Sequence, residues 1–151
     1  MKPHPAFADA SIPERHRLGP FLLRRLGVED LDEDMAAIRE SESCLAGLSD
    51  GGWPLGLTRE ADLIDLAWHQ REFEARRSFA WVIADASSDA YLGCAYVYTA
   101  FDPVGPLDAW WWFRDAARGR PEVSGFGDLF ERWLKSPPWP ALPILMRPPP
   151  G

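Results

Sequence analysis

The chain has 151 residues and carries 16 Lys and Arg against 23 Asp and Glu, and its net charge of -7 argues against tight binding to nucleic acid or to an anionic membrane surface. Hydrophobic residues make up 46% of the chain, which is typical of a globular protein, and this length suits one domain that buries about 70% of its unfolded surface. The longest uncharged stretch, residues 90–101, is too short to span a bilayer, and the N-terminus lacks the apolar core of a secretory signal. We therefore expect a cytoplasmic protein that binds neither nucleic acid nor membrane.

The distribution of prolines indicates how the chain is organised, because they collect near both ends. We predict a flexible N-terminal arm over residues 1–17, a single domain over residues 18–147 and a Pro-rich tail over residues 148–151. The two cysteines, Cys44 and Cys94, lie far apart and form no CxxC motif. They indicate two buried thiols rather than a disulfide framework or a zinc site.

The first half of the chain predicts a strand followed by two helices. Residues 21–26 are an apolar run that could be helical by composition, and we interpret it as a strand because of its length. Asp30, with Glu33 three residues later, predicts the start of a short helix that ends near Ser41. Residues 48–57 are rich in chain-breaking residues and predict a loop.

A second helix is predicted to begin after Thr58, whose hydroxyl can cap it, and to run to about Arg76. Its apolar residues Ile64, Ala67 and Trp68 recur at helical spacing, so we expect them to face the core. His69 lies next to them among polar neighbours and is expected at the surface or half-buried.

The second half predicts mostly strands. Two aromatic and β-branched runs separated by a polar turn indicate an antiparallel hairpin, and a Trp-rich run indicates a third strand. Val123, Phe126, Phe130 and Trp133 fall on one face of a helix. A last strand follows, and Pro143 confines it to a sheet edge. The predicted strands cover residues 79–84, 91–99, 109–113 and 142–146.

The third strand contains Trp110, Trp111 and Trp112 in succession. Side chains alternate along a strand, so the first and last of these residues should share one face and Trp111 should lie on the other. Aromatic faces can bind adenine or a cationic amine, but aromatic residues in a central strand usually fill a core. We favour packing.

This order of elements predicts an α+β fold with a mixed, mostly antiparallel sheet flanked by helices. Residues 21–30 and the hairpin of residues 79–97, in which Gly93 follows the start of the second strand, resemble the GNAT superfamily of acyl-CoA-dependent N-acetyltransferases. The resemblance covers residues 21–146. It implies a GNAT-like fold that lacks the usual last helix and hairpin. The sheet edge left open would need a cover, and a homodimer formed through that edge is one expectation.

The resemblance also implies a cofactor site. In that family a splayed strand pairs with the pantetheine arm of acetyl-CoA, and the diphosphate rests on N–H groups of a [Q/R]xxGx[G/A] loop at a helix start. Two registers of the loop remain open here. One begins at Arg118 but places Pro121 and Val123 at the small positions, and the other begins at Glu122, a carboxylate beside the diphosphate. The implied cofactor-binding residues are Trp112, Phe113, Arg118, Gly119, Gly125 and Gly127.

The implied activity is acetyl-CoA-dependent N-acetylation of a small amine. The alternative is an inactive relative that serves as a binding or partner subunit. A general base for an amine would be a carboxylate or His whose pKa lies near neutrality. The sequence leaves it unknown, with Asp108, Asp115 and Glu122 as candidates near the Trp-rich strand. No cluster has the spacing of metal ligands, so we expect no metal.

Overall fold

The computed structural model describes residues 1–48 and 51–150. In these residues the chain forms six β-strands and five α-helices. None of the described helices is long and apolar enough to cross a membrane. In chain order the elements are β1 (Arg15–Leu18), β2 (Phe21–Arg25), α1 (Leu31–Glu40), α2 (Glu42–Leu45), α3 (Arg59–Glu74), β3 (Ser78–Asp85), β4 (Tyr91–Tyr98), β5 (Leu107–Phe113), α4 (Asp115–Arg118), α5 (Phe126–Leu134) and β6 (Ile144–Arg147).

The six strands form one sheet in chain order. All neighbouring strands are antiparallel except β5 and β6, which are parallel. The predicted mixed, mostly antiparallel sheet is therefore confirmed, with the last strand at an edge. β1 was not predicted, because its residues, Arg15, His16, Arg17 and Leu18, show no apolar alternation.

The predicted helices are also confirmed. α1 begins directly after Asp30, and at the start of α3 the Thr58 hydroxyl accepts a hydrogen bond from the backbone N–H of Ala61 at 3.1 Å. A 3-10 segment, Pro121–Gly125, precedes α5, so the helical run starts with a proline at a position where its missing N–H costs little. Residues 51–57 contain neither helix nor strand, and Ser49 and Asp50 of the predicted loop lie outside the described residues.

The prediction of which face α3 buries was wrong. Ile64, Ala67 and Trp68 are exposed. Two stripes with helical spacing run along α3, and the one that docks carries polar groups. Asp62 is hydrogen-bonded to Asp34 of α1, and the His69 ring packs against that of Tyr96 on β4. The buried residues of α3 are Asp62, Leu66, His69, Glu72 and Phe73.

The sheet separates two cores of different chemistry. The apolar face is the side covered by α5 and the N-terminal segment, and its core includes Trp81 and Trp111. The polar face is the side covered by α1 and α3, and its core includes Trp112 with Trp110 packed against it. The predicted alternation of the three tryptophans is therefore confirmed.

The N-terminal segment packs on the apolar face. Phe7 is fully buried and contacts Phe79 and Trp139, with ring centroids 4.9 and 5.8 Å apart. The backbone N–H of His4 donates to the carbonyl oxygen of Arg76 at 3.1 Å. The division into arm, domain and tail stays a prediction, and Gly151 at the end of the tail lies outside the described residues.

Candidate functional site

The pairing of β5 with β6 ends before β5 does. The last partners are Trp110 on β5 and Arg147 on β6, whereas β5 continues through residues 111–113. On that edge no described strand pairs with these three residues. An unpaired strand edge offers backbone N–H and C=O groups to an extended ligand, so this edge is a candidate binding surface.

Two adjoining cavities flank the open edge. One of about 420 Å³ lies on the apolar side and is lined by Trp111 and Gly127 among others. The other, of about 170 Å³, lies on the polar side and is lined by Cys44, Trp112 and Arg118 among others. Phe113, Val123 and Pro149 line both cavities. We call the two cavities together the β5 cleft.

The side chains of Trp112 and Phe113 are buried. The indole Nε1 of Trp112 donates a hydrogen bond to the Tyr96 hydroxyl at 3.1 Å. These side chains are therefore engaged in the core, and their backbone is the part that can meet a ligand along the open edge.

Parts of the predicted phosphate loop line the β5 cleft, namely Arg118 on the polar side, Gly127 on the apolar side and Val123 on both. Arg118 is half-exposed and contacts Cys44 Sγ, with Asp115 at 3.6 Å. Gly119 directly follows α4 and has open space beside it. Pro121 begins the helical run and has no N–H to donate.

Gly125 and Gly127 differ in what a side chain would meet. A Cβ at Gly127 would lie 2.9 Å from the Trp111 ring, whereas a Cβ at Gly125 would meet nothing within 4 Å. Close packing of α5 on the sheet is thus sufficient to explain a glycine at position 127. The roles of both glycines in cofactor binding stay predictions.

The start of α4 already carries a carboxylate of the chain itself. Glu40 accepts hydrogen bonds from the backbone N–H of Ala116 at 2.9 Å and from the Arg114 guanidinium at 3.0 and 3.1 Å. These bonds, with that from Arg114 foremost, hold the pKa of Glu40 below its usual value. The N–H of Asp115 donates to the Ser41 hydroxyl at 3.0 Å.

The three predicted acidic candidates are not brought together. Asp108 lies near the start of β5 and pairs with Arg147. Asp115 and Glu122 lie beyond the other end of β5, where Glu122 is 3.7 Å from the guanidinium of Arg120. All three are engaged with arginines, and a catalytic role for any of them stays a prediction.

The polar face also contains a buried polar cluster that was not predicted from the sequence. The Tyr91 hydroxyl donates to Asp34, the Cys94 thiol lies 3.8 Å from the same carboxylate oxygen, and Asp34 is hydrogen-bonded to Asp62. Burial, reinforced by the neighbouring carboxylate, raises the pKa of Asp62 to about 8, and burial also raises the pKa of Asp34. The two carboxyl groups therefore hold at least one proton between them at neutral pH.

His69 is buried, with 6% of its surface exposed, and not half-buried as expected. Its Nε2 atom lies 3.4 Å from Asp65 one helical turn earlier. Its ring packs 5.4 Å from that of Tyr96, which in turn stacks on Trp110 at 4.2 Å. The Asp65 to His69 spacing of four residues is the sequence signal that could have indicated this pair.

The two thiols differ in exposure. Cys94 is buried as expected, but Cys44 is only partly buried because it lines the β5 cleft. Both are free thiols. In the described part of the chain, no group of three or more His, Cys, Asp or Glu side chains could hold a metal ion.

Comparisons of sequence gave no relatives for this chain. No protein-family model matches it, and no curated protein matches it.

Comparisons of structure gave clear neighbours. A structure from Bordetella pertussis assigned to the GnaT acetyltransferase family superposes with a TM-score of 0.59 at 17% identity, over 83% of this chain and 74% of that one. The ribosomal-protein-S5-alanine acetyltransferase of Vibrio fischeri gives 0.63 at 13% identity, over 80% and 67%. The ribosomal L7/L12 alpha-N-protein acetyltransferase RimL, in complex with coenzyme A, gives 0.67 at 11% identity, over 81% and 68%.

These neighbours share the architecture of this chain. At such low identity the likeness defines the fold, not the reaction. The protein has the GNAT fold, and the resemblance read from its sequence is confirmed at that level.

Proposed function

We propose that the protein is an acetyl-CoA-dependent N-acetyltransferase that acts on a small amine. The observation that carries the proposal is the unpaired edge of residues 111–113, which faces the β5 cleft at the point where the parallel strands part. In a GNAT fold this edge is suited to an extended arm that pairs with a strand. The coenzyme A complex of RimL supports this assignment by analogy.

The residues around the β5 cleft fit such a cofactor in part. The backbone of Trp112 and Phe113 would hold the pantetheine arm, and the half-exposed guanidinium of Arg118 would meet the phosphates. Bound acetyl-CoA supplies an activated acyl group as a thioester. Pro121 reduces the number of N–H donors for the diphosphate, so binding depends more heavily on Arg118.

An amine can attack a thioester only after it has lost its proton. We propose His69 as the group that accepts this proton. Asp65 lies 3.4 Å from Nε2 of His69, close enough to stabilise the positive charge that the ring would gain on taking a proton. The His69 ring packs against Tyr96, and Tyr96 stacks on Trp110, so all three rings lie on the same side of the sheet. Trp110 is the residue of β5 that pairs with the end of β6.

Calorimetric titration with acetyl-CoA tests the cofactor proposal. We expect the Arg118→Glu variant to bind about tenfold or more weakly at low salt, because a phosphate-pairing cation becomes an anion. Arg132→Glu is the matched control, since Arg132 is exposed on α5 and does not line the β5 cleft. Equal affinity of the two variants would refute the role of Arg118.

The proposed base is tested by turnover of an amine panel. His69→Gln should lower kcat by about 100-fold and change KM little, in keeping with the loss of a general base. His16→Gln provides the control, because His16 stacks on Trp133 on the apolar face. A His69 variant with wild-type kcat would exclude this residue.

The alternative of an inactive GNAT-like binding subunit has one observation in its favour. Glu40 occupies the N–H of Ala116 at the start of α4, and Pro121 offers none, so few backbone donors remain for a diphosphate. Absence of heat on titration with acetyl-CoA at about 1 mM, well above typical cofactor affinities, would favour this alternative.

A further inference from the structure

A cavity unrelated to the β5 cleft lies on the polar face of the sheet. Its volume is about 530 Å³, within the range of small-molecule pockets. It lies where β3 begins and β4 ends. The residue of β4 that pairs with Phe113 is at the other end of β4. We call it the α3 pocket. Its lining comprises residues 2–5, Trp68, Glu72, Arg77, Ser78 and residues 98–101.

One wall of the α3 pocket contains an unpartnered buried hydroxyl. Ser78 is 5% exposed, and its Oγ atom has no hydrogen-bond partner. The oxygen is also closed off from the cavity, so Ser78 shapes this wall but presents no donor to a ligand. Ser78 lies opposite Tyr98 in the β3–β4 register, so the two side chains share the polar face.

Aromatic rings form the apolar part of the α3 pocket. Trp68 is 45% exposed and lies 6.5 Å from the ring of Tyr98, at an angle of 30°. Phe101 is fully exposed at the rim. Large exposed aromatic side chains gathered around one cavity are typical of a surface that covers an apolar ligand.

The formal charge of the lining is opposite in sign to that of the chain. The lining contains two cationic side chains, Lys2 and Arg77, and one carboxylate, Glu72, whereas the whole chain has a net charge of -7. Glu72 pairs with Arg77 through Nε at 3.4 Å, and no other ion pair of Arg77 is present among residues 1–48 and 51–150. The outer guanidinium nitrogens can therefore pair with an anion that enters the pocket.

We propose that the α3 pocket binds an organic molecule that combines an aromatic ring with a carboxylate. The ring packs against Trp68, Tyr98 and Phe101, and the carboxylate accepts hydrogen bonds from the guanidinium of Arg77. This site is separate from the β5 cleft. The proposal holds whether or not the protein binds acetyl-CoA.

Three probes of similar size separate the contributions of ring and charge: 3-phenylpropionate, 3-phenylpropanol and 3-phenylpropylamine. Binding is measured by ligand-observed NMR and by quenching of tryptophan fluorescence. For a ligand of this size we expect 3-phenylpropionate to bind with a Kd on the order of 1 mM, and the alcohol and the amine to bind about tenfold more weakly. Equal binding of the amine, or no saturation by 3-phenylpropionate up to about 20 mM, would overturn the proposal.

Variants locate the site. Arg77→Gln should weaken 3-phenylpropionate binding about tenfold and abolish the preference over the alcohol, whereas Arg71→Gln, on the exposed side of α3, should leave both unchanged. Arg77 and Arg71 variants that behave alike would place the ligand elsewhere.

Discussion

On the apolar face of the sheet, Trp81, Trp133 and Trp139 pack together with ring centroids 5.2 to 6.0 Å apart. On the polar face, Asp34 of α1 and Asp62 of α3 are buried. One face thus gains stability from aromatic contacts, while the other retains groups that are costly to bury.

The two faces of the sheet therefore contribute to stability in different ways. Aromatic packing is insensitive to pH, whereas buried carboxyl groups make stability depend on protonation. The proposed base and the α3 pocket both belong to the polar face. Four sets of substitutions test this difference between the faces, in order from the largest expected effect to the smallest.

Trp81→Ala should destabilise the protein most. Trp81 is fully buried, and its Nε1 donates a hydrogen bond to the carbonyl oxygen of Pro13 at 3.1 Å. We expect a loss of about 3–5 kcal/mol in the free energy of unfolding, measured with urea. Trp68→Ala, on the exposed side of α3, should cost less than about 1 kcal/mol. Similar losses for the two variants would contradict the assignment of the apolar face as the main source of stability.

Asp62→Asn should change how stability depends on pH. Because the pKa of Asp62 is raised from 3.8 to about 8, the folded state binds more protons than the unfolded state between these values, so wild-type stability falls as pH rises through this window. Asparagine cannot ionise, so the stability of the variant should fall less steeply with pH. Near pH 9 its free energy of unfolding should exceed that of the wild type by about 2 kcal/mol.

Urea unfolding at pH 5, 7 and 9 measures this effect. Asp65→Asn serves as the control, since Asp65 is exposed and should alter the slope much less. Parallel pH curves for the wild type and the Asp62 variant would show that the buried carboxyl pair does not titrate as described.

Gly127→Ala should destabilise the protein by about 1–2 kcal/mol, because the new methyl group would lie within 2.9 Å of the Trp111 ring. Gly125→Ala meets no such neighbour and should be neutral or slightly stabilising, since alanine favours the helical conformation. Thermal unfolding compares the pair. If both glycines tolerate alanine equally, α5 packs less closely on the sheet than described.

Glu40→Gln should have the smallest effect, about 1 kcal/mol at pH 7, because its ion pair with Arg114 is partly exposed to solvent. The folded pKa of Glu40 is lowered, so its contribution is present above the unfolded value of 4.5 and is lost as pH falls through the folded pKa. The variant and the wild type should therefore converge in acid. A difference that persists near pH 3 would indicate a packing effect instead.

Much of the fold could be predicted from the sequence, because the hairpin and the Trp-rich strand have strong local signals. The face of α3 could not be predicted. Its stripes at Ile64 and Trp68 and at Leu66 and His69 both have helical spacing. The groups that the buried stripe meets, which include Asp34 of α1 and Tyr96 of β4, lie far from α3 in the sequence. Tertiary packing overrode local pattern here.

The candidate site was predicted unevenly. The backbone edge of β5 and the position of Arg118 were predicted from a family resemblance. Such a resemblance locates motifs along the chain but does not show which side chains they contact in the fold. The pairing of Asp34 with Asp62 joins two helices, so no spacing along the chain indicates it. The lack of a partner for the Ser78 hydroxyl is likewise a property of three-dimensional packing.

The two outer strands have a consequence for self-association. β1 and β6 are each four residues long, and prolines stand close to them at Pro13, Pro143 and Pro148. Strand addition at either edge can therefore form only a short ladder, which limits growth of ordered aggregates. A homodimer formed through an edge would need contacts between side chains in addition to the short backbone ladder. Surface substitutions next to the edge should therefore change its dissociation constant, measured by sedimentation.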